Sequence, residues 1–123
     1  MPRVVHFDIV VPDVQRAITF YESAFGWSIE KWDGPMEYWL VSTGPGEREG
    51  INGGLSQGDP NLTEGQLTLD VDSVAEAVRR VIDAGGTVAR EPSPIPGIGY
   101  LAEIVDTEGN RFGLMQDDSS AGT

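Results

Sequence analysis

The sequence predicts an α+β domain made of two tandem βαβββ modules, with curved mixed sheets around a shared cleft. Three observations predict it. "HFDIVV" at His6 and "QLTLDV" at Gln66 are short alternating strands, and each runs straight into a helix start. Val11/Val71, Val14/Val74, Ala17/Ala77, Ala24/Ala84 and Gly26/Gly86 each stand 60 residues apart, and so do Gly53 and Gly113. Each half also carries one helical stripe among several strand patterns, so one helix covers one face of a four-stranded sheet, and the other face must be covered by the partner unit or line a cavity.

The elements follow in order. Phe7, Ile9 and Val11 share one strand face; His6, Asp8 and Val10 share the other. Pro12-Asp13 breaks the strand, with Asp13 as the expected N-cap. Val14, Ala17, Ile18, Tyr21 and Phe25 have helical spacing, which predicts a helix over 14–25 ended by Gly26. "WSIEKW" and "EYWLVS" read as strands joined around Asp33-Gly34-Pro35, "GPGEREG" as a loop and "INGGL" as a short strand. In the second half, Leu67, Leu69 and Val71 face one way and Gln66, Thr68 and Asp70 the other. Ser73-Val74-Ala75-Glu76 has the spacing of a capping box, Val74, Ala77, Val78 and Val81 form the helix stripe, and Gly85-Gly86 stops it. "TVARE" reads as a strand, "PSPIPG" as a stiff loop, "IGYLAEIV" as a strand, "DTEGN" as a turn and "RFGLMQ" as the last strand. The first module spans about residues 4–56 and the second about 64–116, with a frayed tail at 117–123.

Composition narrows the function classes. At 123 residues the chain has the size of one ordinary domain, and 39% hydrophobic with 23% charged residues is a globular composition. No apolar run approaches the ~20 residues that span a bilayer, and "MPRVVHFDIV" has no signal-peptide pattern. There are no cysteines, which removes disulfides, thiol nucleophiles and thiolate metal sites and is compatible with a cytoplasmic protein. A net charge of −12 opposes binding to nucleic acid. The acidity has two readings, solubility alone or a preference for cationic ligands.

The faces opposite the helices hold the candidate site. His6, Asp8, Gln66, Thr68 and Asp70 there suit a polar cleft for a small molecule better than a dry interface. His6, the only histidine, is either a half-buried polar residue or a general acid/base. Glu103 is a base if it faces the cleft, but alternation leaves open whether Leu101/Glu103/Val105 or Tyr100/Ala102/Ile104 point that way. Among the aromatic residues Trp39 and Tyr100 are expected to line the cavity, where they would stack on a flat or cationic ligand. Alternation through Gly113 puts Arg111 on the cavity face as the main offsetting cation.

"HFDIVVPDVQRAITFYESAFGW", "DVDSVAEAVRRVIDAGG" and "VDTEGNRFGLMQ", in this order and spacing, resemble the vicinal oxygen chelate superfamily of glyoxalases, bleomycin-resistance proteins and extradiol dioxygenases, from about Val4 to Gln116. The resemblance implies that fold, frequent homodimers, and in metal-dependent members a metal held by one first-strand and one fourth-strand residue of each module. Carried over, those positions are His6, Gly53, Gln66 and Gly113. His6 matches, Gln66 is a permitted match, and the two glycines have no side chain to coordinate with. They either let backbones approach closely or open space for a ligand. The expectation is therefore a metal-independent small-molecule-binding protein, a cytoplasmic homodimer without a cofactor. The alternatives are a lyase, isomerase or dioxygenase of the superfamily, or an interaction module with a vestigial pocket. Glyoxalase I activity, which needs a complete metal site, is not expected.

Overall fold

The computed structural model describes residues 2–46, 49–58 and 64–122. Part of the loop read from "GPGEREG" lies outside them. The element order is β1 (Arg3–Val11), α1 (Val14–Phe25), β2 (Ser28–Lys31), β3 (Trp39–Ser42), β4 (Asn52–Gln57), β5 (Glu64–Asp70), α2 (Val74–Asp83), β6 (Thr87–Ile95), β7 (Gly99–Val105) and β8 (Arg111–Asp117). This is the predicted βαβββ order, twice. The chain forms two compact units, His6–Gln66 and Leu67–Thr123, the latter joined by the first five residues.

In the first unit the strands run in the order β2-β3-β4-β1. β1 and β4 are parallel, with His6 opposite Asn52, Phe7 opposite Gly53 and Asp8 opposite Gly54. β3 is antiparallel to both β2 and β4. Asp13 caps α1 by accepting the Arg16 amide at 3.1 Å, and Gly26 ends it at φ 71°, a left-handed conformation that a Cβ disfavours. The core collects Val11, Val14, Trp39, Val41 and Leu55, with Phe7, Ile9, Ala17 and Ile18 packed on it. These are the strand face and helix stripe that the periodicities selected.

In the second unit the order is β5-β8-β7-β6. Thr68 lies opposite Gly113 in the parallel β5–β8 pair, and Glu103 opposite Gly113 in the antiparallel β7–β8 pair. The Ser73 hydroxyl accepts the Glu76 amide at 3.2 Å, as the Ser-x-x-Glu spacing predicts. Val71, Val74, Val78, Ala102, Ile104 and Leu114 form the core.

Three expectations are corrected. "PSPI" is not a loop: β6 continues through Ile95, with register shifts between Val88 and Arg90 and between Arg90 and Ser93. Within its unit β6 is an edge strand, where Pro92 and Pro94 remove no needed donor. The tail is not frayed through 122. The Asp118 amide donates to the Ile98 carbonyl at 2.9 Å, the Gly97 amide to the Ala121 carbonyl at 3.0 Å, and Ala121 is fully buried.

The third correction concerns the repeat itself. Asp8 and Thr68 differ by 60, but their fourth-strand partners are Gly54 and Gly113, which differ by 59. Leu55 and Leu114, both buried to 2% exposure or less, confirm that spacing. So do Gln57 and Gln116, whose side-chain oxygens accept the first helical amides, Val14 at 3.4 Å and Val74 at 2.9 Å. One residue is therefore lost between the helix and the fourth strand of the second unit.

Candidate functional site

That shift of one residue moves the site. Gly53 shares the face of Phe7, and a Cβ there would strike the Phe7 ring and carbonyl. Gly53 thus points to the core, away from His6, and cannot occupy the fourth-strand ligand position. The residue on the His6 face is Gly54, in register with Asp8. A Cβ on Gly54 would run into the Tyr38 phenol, which lies over the glycine and fills that place.

Tyr38 ties the open face of the first unit together. His6 Nε2 lies 2.8 Å from the Tyr38 hydroxyl, the hydroxyl donates to Asp8 Oδ1 at 2.5 Å, and Nε2 is 3.4 Å from that same oxygen. Burial pushes the Tyr38 phenol well above the ordinary tyrosine pKa, and the hydrogen bond to Asp8 and its charge push the same way. The phenol therefore keeps its single proton, and that proton goes to the carboxylate. Counting donors then assigns the histidine: the Tyr38 oxygen must accept, so Nε2 carries a hydrogen and Nδ1 is left for the ring's second role. The side chains of His6 and Asp8 remain about a third exposed, at 32% and 28%, so solutes can reach them.

The open face of the second unit has different chemistry. Ala102 and Ile104 are core residues, so Glu103 belongs to the open face with Leu101 and Val105. It sits between two guanidiniums, Arg90 Nη1 at 3.7 Å and Arg111 Nη2 at 3.4 Å. Arg111 is on the face that alternation through Gly113 assigned to it, and Thr68 is buried in the same row. Gln66 is half-buried on β5.

Other expected positions change. Trp39 is buried in the first core and Tyr100 packs against the second, because alternation turns both toward the helices. Neither lines the open face. Asp70 is exposed and borders a groove beside α2 with Asp72, Ser73 and Glu76, lined also by Ala77 and Val81. Asp8 is hydrogen-bonded to Tyr38 and Glu103 lies between two arginines, so neither is the free negative charge that the sequence led us to expect.

Sequence reasoning missed Tyr38 and Arg90. Trp39 and Val41 face inward, so alternation does place Tyr38 and Leu40 outward. The signal was present once Trp39 was assigned to the core. Arg90 was hidden by the bulged register of β6.

The metal set implied by the resemblance does not fit these residues. His6 Nε2 is engaged by Tyr38, Gly54 and Gly113 bring no ligand atom, and a phenol occupies the space over Gly54. Among the described residues no three His, Cys, Asp or Glu side chains gather as a metal set would. Also among the described residues, no helix is long and apolar enough to cross a membrane.

Known proteins share this fold. Residues 3–114 match the family model of the Glyoxalase/Bleomycin resistance protein/Dioxygenase superfamily. The chain is 31% identical over 124 residues to a lactoylglutathione lyase of Salmonella typhimurium, covering 93% of this chain and 92% of that protein. Among solved structures, methylmalonyl-CoA epimerase from Mycobacterium tuberculosis superposes with a TM-score of 0.70 at 18% identity, over 94% of this chain and 87% of that one. A superfamily member from Vibrio splendidus gives 0.68 at 17% identity, over 95% and 100%. Those two likenesses concern the fold. With the family model spanning most of its length, the chain belongs to the Glyoxalase/Bleomycin resistance protein/Dioxygenase superfamily.

Proposed function

We propose that this protein is a metal-independent small-molecule-binding member of its superfamily, a cytoplasmic homodimer whose ligand meets the open face bearing His6, Tyr38 and Asp8. The observation that carries the proposal is the Tyr38 phenol lying over Gly54 and bonded to His6 Nε2. A side chain stands where a ligand-bearing residue and its ion would be, and the histidine nitrogen beside it is already engaged. In the assigned tautomer Nδ1 accepts a hydrogen bond from the ligand, and the Tyr38–Asp8 pair fixes the ring.

The second reading is an enzyme of the superfamily. It is supported by the relay, since an imidazole that gains a proton at Nδ1 becomes a cation with the Asp8 carboxylate 3.4 Å from its other nitrogen. The 31% identity to a lactoylglutathione lyase supports it from a different side. Lactoylglutathione formation falls under this second reading.

Titrating chelator-treated protein with nickel, zinc and manganese separates the readings. The expected result is no stoichiometric binding by calorimetry and no lactoylglutathione formation with any added metal. Tight one-to-one binding that disappears in His6→Ala, or metal-dependent lyase turnover, would overturn the proposal. A small-molecule thermal-shift screen then identifies ligands, since binding at a hundred times the dissociation constant adds about 2.7 kcal/mol of stability.

A further inference from the structure

We propose that Arg90 and Arg111, on either side of Glu103, form a subsite for the anionic group, a carboxylate or phosphate, of a small-molecule ligand. The subsite lies wholly on the sheet of the second unit and does not depend on the chemistry of His6.

The arrangement is unlike a simple ion pair. Arg90 approaches Glu103 Oε2 at 3.7 Å and Arg111 approaches Oε1 at 3.4 Å, so each oxygen takes one guanidinium. Both distances exceed the ~2.7–2.9 Å of a close charge-assisted bond. The glutamate side chain is 20% exposed and the arginines 54% and 46%, so the carboxylate lies beneath and the guanidiniums reach outward. Among the described residues neither arginine has a further partner. Each guanidinium has five donors, and most of them stay free.

Charge and shape point the same way. The cluster holds two positive charges against one negative charge, in a chain of net charge −12 with only 8 Lys and Arg. Neutralising Glu103 needs one arginine, and the second leaves an excess. Arg90, Glu103, Gly113 and Thr68 form one row across β6, β7, β8 and β5, and Gly113 puts no side chain beside the carboxylate. Two planar forks around one shared carboxylate suit a planar carboxylate or a phosphate face, which a lysine pair would not match. The bound anion would bridge the arginines above Glu103, in competition with its carboxylate.

The test uses the full chain at low salt, titrated with inorganic phosphate and separately with succinate, read by calorimetry and by amide chemical shifts. The expected result is saturable binding by at least one of the two anions, with the larger affinity naming phosphate or carboxylate as the preferred group. Arg111→Gln and Arg90→Gln should each weaken it about tenfold, the cost of one charged hydrogen bond. Arg111→Lys, which keeps the charge and loses the fork, should fall in between. Glu103→Gln should strengthen binding, because it removes the competing carboxylate. Arg79→Gln, an exposed arginine of α2, controls for net charge and should change nothing. If neither anion binds, if the Arg90 and Arg111 variants bind like the parent, or if Glu103→Gln leaves affinity unchanged or lowers it, the cluster is only a structural ion pair. The metal titration above reads neither arginine, so the two proposals fail independently.

Discussion

On the helix side of its sheet the first unit buries Leu55 and passes the Gln57 side-chain oxygen to the Val14 amide; the second buries Leu114 and passes Gln116 to Val74. On the open side the correspondence ends. The first unit has an imidazole, a phenol and a carboxylate in one hydrogen-bonded group, and the second a carboxylate between two guanidiniums. A helix stripe and a strand face must fit each other atom by atom, so a change on either needs a compensating change. The open face carries no helix of its own unit, and there the side chains of the two units differ. The comparison teaches that the duplicated halves keep the same packing and differ on their open faces.

The strongest way to break that comparison is in the cores. Leu55→Ala and Leu114→Ala should each cost about 2–5 kcal/mol, because both delete a fully buried side chain from a packed layer. Urea unfolding monitored by circular dichroism measures both. If one substitution costs under about 1 kcal/mol, the two leucines are not equivalent and the 59-residue spacing fails as a description of the repeat.

Next comes the place where the first unit departs from its copy. Gly54→Ala should cost about 1–3 kcal/mol by overpacking against the Tyr38 phenol. In a Tyr38→Ala background that cost should largely vanish, and a double-mutant cycle measures the coupling. Independent, additive costs would show that the glycine serves something other than the phenol. Tyr38→Phe should itself cost about 1–3 kcal/mol, since it strips Asp8 and His6 of a half-buried partner. Its pH signature is specific. The folded phenol titrates above its unfolded value, so its contribution is complete below the unfolded pKa of roughly 10 and is lost as pH rises beyond it. The parent should therefore lose stability at alkaline pH more steeply than Tyr38→Phe. Parallel slopes would mean that the phenol is not held protonated.

A smaller effect is expected on the other open face. Glu103→Gln breaks ion pairs whose arginines are half-exposed, so it should cost only about 0–1 kcal/mol. A loss comparable to that of Tyr38→Phe would make the arginine cluster a stabilising device and erase the contrast between the faces.

Much of this was legible in the sequence, and the illegible part has physical causes. The end of β1 at Val11, the α1 span, the Asp13 and Ser73 caps and the two helix stripes follow from period and capping chemistry, which act within a few residues. Gly53 was misplaced because a run of two glycines carries no alternation to read, and only the β1–β4 register tells which of them shares the face of His6. Tyr38 escaped because a phenol reaching across β4 to Asp8 is a tertiary contact spanning 30 residues. Pro92 and Pro94 read as a loop because strand propensity assumes an inner strand, whereas β6 is an edge within its unit. Trp39 and Tyr100 read as cavity residues because composition cannot choose a face.

The smallest contrast lies in the equivalent turns. Between β3 and β4 the bonds among the described residues are neutral: the Thr43 amide donates to Asn52 Oδ1 at 3.0 Å and its hydroxyl to the Ile51 carbonyl at 2.6 Å. Between β7 and β8 it is charged: Asp106 Oδ1 accepts the Glu108 and Asn110 amides, each at 2.8 Å, and Oδ2 accepts the Asn110 side-chain amide at 3.0 Å. These bonds, the Asn110 side chain first among them, hold the Asp106 carboxyl below the usual aspartate range. A folded pKa below the unfolded one contributes stability that is present above the unfolded value and lost as pH falls through the folded one. Acid should thus loosen the second turn and leave the first alone. Amide exchange at Glu108 and Asn110, followed between roughly pH 5 and pH 2 and corrected for intrinsic rates, should show protection falling, and protection at Thr43 should hold. Asp106→Asn keeps an acceptor oxygen without the titrating charge, so it should flatten the change at Asn110. Equal loss of protection at Thr43 and Asn110 in the parent would mean that acid acts on the whole fold, and the charged turn would then mark no difference between the two units.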